Sequence, residues 1–137
     1  MRERQHFPHG ADISVRGRGE TLAEAFEEAA LALTCIVADP GRVRPLDMVH
    51  VYCKVSDKDL LLVEWLNTIV YQMTTKRMVF SRFDVKIGDG ELVARIYGEP
   101  LDPLRHEASH KVRGATEEAT VAHESDGRWT AQCVLVA

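Results

Sequence analysis

The 137-residue chain is poor in the features that mark several common protein classes. It has three cysteines, Cys35, Cys53 and Cys133, with no CxxC pair and no Cys/His zinc spacing. Each lies in an apolar helical or strand-like run, so the expectation is buried thiols in a reducing compartment. No window approaches the roughly 20 apolar residues of a membrane span. No charged start leads into an apolar signal core, so a cytoplasmic protein is expected. There is no excess of positive charge. The net charge is −4 and the pI about 5.8, which excludes the uniform basic field that drives phosphate-backbone binding. Any nucleic acid is expected to be held by a partner. There is no Gly-rich phosphate loop, no HExxH and no Gly-x-Ser-x-Gly elbow, which weakens ordinary nucleotide-binding and hydrolase readings.

What is present is an ordinary globular composition, 45% hydrophobic and 28% charged, at a length that suits one domain over 1–137. Ile13 and Val15 alternate with Ser14 and Arg16, a period-two strand pattern. Thr21 and Glu24 form a capping box ahead of Leu22, Phe26, Ala29, Leu33 and Val37 at helical spacing. Pro40 stops that helix. Met48 to Val55 reads as a strand, and Ser56 or Asp57 caps a second helix in which Leu62, Leu66, Ile69 and Met73 share a face beside Trp65. The second half changes to hairpins. "GDG" joins Met78–Ile87 to Glu91–Gly98, and "ESDG" joins His110–Ala122 to Arg128–Val136. The expected fold is α+β: a two-layer sandwich, a mixed and mostly antiparallel sheet of about six strands, and two helices on one face.

Several polar residues are candidates for chemistry. His9 and Asp12 stand three apart at a strand mouth and reach one site only if the chain bends at Gly10. Asp102 and His106 lie in the irregular stretch "DPLRHEASH", which reads either as a functional loop or as a solvated one. Glu64 and Asn67 share a helix face, as a site or as a polar rim. Lys111 and Arg113 share a strand face.

Four separated pieces then resemble one family in the right order: "HGADISV" with "GETLAEAFEEAALAL", "LLLVEWLNTIVY", "GEPLDPLRHEASHKVRGATE" and "GRWTAQCVLVA". They are similar to the archeases. That resemblance implies a small cytosolic α+β protein that assists an RtcB-type RNA ligase. Such a protein promotes guanylylation of the ligase's histidine and its turnover in tRNA splicing or RNA repair. It is not itself catalytic, and it meets RNA only through the ligase. By the resemblance Asp12 matches a metal-binding aspartate and His9 its neighbour. His106 matches the histidine of the third motif, and Glu64 and Asn67 match the second-helix motif. Arg113 stands where the family usually has lysine, and Gly10 where it has threonine. The family's closing aspartate, partner of the first in a Ca²⁺ or Mg²⁺ site, is replaced by Val136. The C-terminal carboxylate of Ala137, Glu99 or Asp102 would have to stand in. Three other readings stay open: a metal-dependent phosphoester hydrolase using Asp12 and His106, a metal-independent binding or chaperone-like module, and a structural oligomer.

Overall fold

The computed structural model describes residues 2–10, 12–108 and 110–137. Among the described residues, seven strands form two antiparallel sheets, and two α-helices pack against them. The α+β class and the two helices are as expected. The strands number seven rather than about six, because Glu3–His9 is also a strand, and they divide between two sheets.

β1 (Glu3–His9) and β2 (Asp12–Gly19) form a hairpin that ends in the pair His9↔Asp12. Gly10 supplies a positive φ of 62° at its turn. After β2 comes α1 (Leu22–Val37). Thr21 caps it, accepting from the Glu24 N–H at 3.1 Å, while the Glu24 carboxylate reaches back to the Glu20 N–H. α1 is buried on most sides, as a helix touching both sheets must be. It sits very close to β2: a Cβ on Gly17 would lie 2.3 Å from the Ala25 carbonyl oxygen and the Ala29 nitrogen. Only glycine permits that approach. On its other side Thr34 donates to the Phe80 carbonyl of the second sheet at 2.9 Å.

β3 (Asp47–Lys54) leads to α2 (Lys58–Lys76), whose first amides donate to Asp57. Arg77, in the left-handed region at φ 51°, ends the helix. The inward stripe of α2 is Leu61, Leu62, Trp65, Leu66 and Ile69. Trp65 packs edge-on against Phe83 and donates its indole N–H to the Phe26 carbonyl at 3.0 Å. The largest core side chain is thus buried without an unpaired donor. β4 (Met78–Gly88) and β5 (Glu91–Pro100) form a hairpin through Asp89 and Gly90, both at positive φ. β6 (Gly114–His123) and β7 (Trp129–Val136) form the last one.

One sheet runs β1-β2-β7-β6 and the other β3-β5-β4. Along β7, Ala131, Cys133 and Leu135 are fully buried on one face, as the alternation requires. Cys53 and Cys133 are buried free thiols, and Cys35 is partly buried. Burial pushes the Cys133 thiol up to about 11.

Candidate functional site

Asp12 opens β2 and Val136 closes β7. They flank the pair Ile13↔Leu135, so they are cross-strand neighbours on one face. Gly114, the first residue of β6, pairs with Val136 on its far side, and the Arg113 N–H donates to the Val136 carbonyl. The hairpin turn settles how His9 and Asp12 share a face. They are directly opposed residues of adjacent strands, not two residues of one strand. The His9 Nε2 lies 3.4 Å from a carboxylate oxygen of Glu118. β1 and β6 are the outer strands of the sheet, so this contact spans the ends of β2 and β7, where Asp12 and Val136 sit. Nothing in the sequence pointed to Glu118. It lies in a stretch of β6 whose register shifts between Ala115 and Ala119.

The Asp102–His106 loop is built differently. The His106 side chain is fully buried. Its Nδ1 accepts the Asp102 backbone N–H at 2.9 Å, so the ring proton sits on Nε2 and donates to Glu99 at 3.0 Å. His106 is therefore a neutral imidazole with both nitrogens engaged. Its expected role in lining a contact site gives way to holding the loop in place. Glu99, only 2% exposed, also binds Arg105, the Arg44 backbone N–H at 2.6 Å and the Arg44 guanidinium. Arg105 first, then the Arg44 amide and His106, hold the Glu99 carboxyl well below the usual carboxylate range despite its burial. Glu99 in turn raises the Arg105 guanidinium. With four donors around it, Glu99 is a buried anchor and has no oxygen to spare for a cation. Asp102 caps the turn, accepting from the Leu104 and Arg105 amides.

The loop is tied to the chain just past α1, where the Asp39 N–H donates to the His106 carbonyl, and it runs on through residues 107–113 to β6. Lys111 and Arg113 lie exposed around buried Val112 in the segment joining this loop to β6. Strand β6 starts at Gly114, not at His110 as expected.

Asn67 projects from α2 to the edge of β6. Its amide accepts from the Ala115 N–H at 2.8 Å and donates to the Ala115 carbonyl at 3.4 Å. Gly114 leaves the room: a Cβ there would lie 2.9 Å from the Asn67 Oδ1. Two turns earlier, Asp59 accepts from the Val121 N–H at 2.7 Å. Side chains of α2 thus close an open sheet edge. Glu64 is exposed on the same helix, beside Val63 and Thr68.

The donors at the Asp12 end do not fit a self-contained divalent metal site. A hard cation wants several oxygen ligands. Val136 presents an isopropyl group beside Asp12, Glu118 is turned to His9, and Ala137 is an exposed residue just past β7. Among the described residues, no group of three or more His, Cys, Asp or Glu side chains is placed to hold a metal.

The model of the Archease protein family (MTH1598/TM1083) matches residues 5–135. The chain belongs to the archease family. It is 36% identical to the archease of Pyrococcus furiosus and covers 98% of each sequence. It is 35% identical to that of Aeropyrum pernix, over 95% of this chain and 94% of the relative. The solution structure of protein 1598 of Methanobacterium thermoautotrophicum superposes with a TM-score of 0.83 at 29% identity, over 98% of both chains. A Thermotoga maritima archease, titled a possible chaperone, shares the fold with a TM-score of 0.59 at 13% identity. No helix of the described residues is long and apolar enough to cross a membrane.

Proposed function

We propose that this archease is an accessory protein of an RtcB-type RNA ligase, one that promotes guanylylation of the ligase and its repeated turnover. The observation that carries this reading is the family match over 5–135, with Asp12 kept at the mouth of β2. tRNA splicing or RNA repair in the cytoplasm is the process it would serve, with RNA bound by the ligase. The working surface is the Asp12 end of the four-stranded sheet. Asp12, His9, Glu118, Lys111 and Arg113 there mix charges of both signs, which suits docking to a protein better than to a bare phosphate backbone. Glu99 and His106 hold the adjoining loop in shape. The reading assigns no catalytic step to this chain and no cation held by this chain alone.

The test is the time course of the covalent ligase–GMP adduct, formed by a cognate RtcB-type ligase with labelled GTP and Mg²⁺ or Mn²⁺, with and without the chain. Faster adduct formation is expected. Val136 favours one other reading, a binding module that has kept the fold and left the ligase. An active ligase indifferent to the chain would select it.

A further inference from the structure

The two sheets have four outer strands, and three of these edges are managed. β6 is closed by Asn67 and Asp59 of α2. β4 is closed at Val85, whose N–H donates to Glu27 of α1 at 2.8 Å, and it is bulged between Phe80 and Arg82. β1 carries Pro8, which has no N–H, and Arg4, paired to Glu28 of α1, with Arg2 just before it paired to Glu27. Among the described residues, β3 alone has no such cover. It is regular, eight residues long and free of proline. Strands left open in this way pair with other strands.

The register shows which backbone groups are open. Val55 donates to the Gly90 carbonyl at 2.9 Å, and the pairing continues without a shift to Asp47↔Gly98. Odd-numbered residues of β3 therefore bond to β5, and the N–H and C=O groups of Met48, His50, Tyr52 and Lys54 point away from the sheet.

We propose that β3 pairs with β3 of a second copy, antiparallel across a two-fold axis at Val51, joining two three-stranded sheets into one of six strands. This register sets Met48 opposite Lys54 of the other copy and His50 opposite its Tyr52, so all four open residues on each strand are used. It is isologous and therefore closes as a dimer. Charge does not oppose it: Lys54 is offset by Glu91 of β5 in its own copy and lies opposite the uncharged Met48 of the other. Exposed apolar surface agrees with it. Met48 and Tyr52, 43% and 59% exposed, stand on the outer face of β3 and would lie beside Lys54 and His50 of the other copy. Leu60 and Tyr71 of α2 line a groove that begins at Val55, where β3 ends.

Sedimentation equilibrium on the full chain tests this, together with hydrogen exchange at high and low protein concentration. The wild type is expected to be a dimer at micromolar concentrations. Amides of Met48, His50, Tyr52 and Lys54 should be protected when concentrated and released on dilution. Tyr52→Lys, at an exposed position whose hydroxyl reaches only Glu91, should weaken the dimer at least ~10-fold and leave the melting temperature unchanged at dilutions where both chains are monomeric. Val93→Lys, on the outer face of β5 and off the edge, should leave it intact. A monomer at every concentration overturns the proposal. So does a dimer that Val93→Lys dissolves and Tyr52→Lys does not, since that dimer stacks sheet faces instead of joining edges.

Discussion

Val136→Asp should create a two-carboxylate metal site at the mouth of β2, where Asp12 now faces an isopropyl group. Asp12 and residue 136 are cross-strand neighbours on one face, so their Cβ atoms stand about 5 Å apart. Two carboxylates at that distance repel by about 0.8 kcal/mol in bulk water and by about 3 kcal/mol at the effective dielectric of a protein surface. Without metal the variant should therefore lose about 1–3 kcal/mol, or roughly 3–10 °C in melting temperature for a domain of this size. Calcium reverses the sign. Bound between the two carboxylates of the folded state only, it stabilises by about 1.4 kcal/mol at tenfold excess over its dissociation constant. The assay is thermal unfolding of wild type and variant in EDTA and in millimolar Ca²⁺ or Mg²⁺. The variant should melt lower than wild type in EDTA and recover with metal, while wild type should shift little. A wild type that gains as much as the variant would show a complete site despite Val136 and overturn this prediction.

Glu99→Gln should make stability less sensitive to acid. The folded Glu99 carboxyl titrates below its unfolded value, so its contribution is full above the ordinary carboxyl range near pH ~4.3 and shrinks as pH falls toward the folded value. Urea unfolding from pH 7 to 3 should find the gap between wild type and variant widest at neutral pH and narrowing below pH ~4. Asn67→Ala removes both side-chain bonds to Ala115 at an exposed edge, where water compensates in part, so a loss of about 1 kcal/mol is expected. Hydrogen exchange should show the Ala115 amide opening more than its neighbours. Gly17→Ala forces a Cβ into the backbone of α1 and should cost about 2 kcal/mol or more, read as a lower denaturation midpoint with unchanged slope.

The helices were legible because their signals are local. The Thr21 and Asp57 caps sit next to the stripes they introduce and operate as read, while Glu24 reaches the Glu20 N–H, one residue before the cap, instead of closing the box on Thr21. The "GDG" hairpin is equally local, and Asp89 and Gly90 take the positive φ it needs. β1 escaped because its charged and polar residues hide the alternation; only its pairing with β2 makes it a strand. The candidate site was half legible for the same reason. His9 and Asp12 stand out as residue types, but only the hairpin opposes them. Glu118 reaches His9 through a strand order that no local pattern encodes. His106 stood out too, yet its role depends on Glu99, which is itself held by Arg44 from 55 residues upstream. A buried polar cluster of that kind looks, in sequence, like a solvated loop.

We propose the Asp12 end of the sheet as the surface through which this archease works on a ligase. The most direct measurement is the initial rate of ligase–GMP formation with the wild-type chain and with Asp12→Ala, each first checked for unchanged circular dichroism and melting temperature. Wild type is expected to accelerate the adduct, and Asp12→Ala, still folded, is expected to leave its rate unchanged. A folded Asp12→Ala chain that accelerates it as well as wild type would contradict the claim.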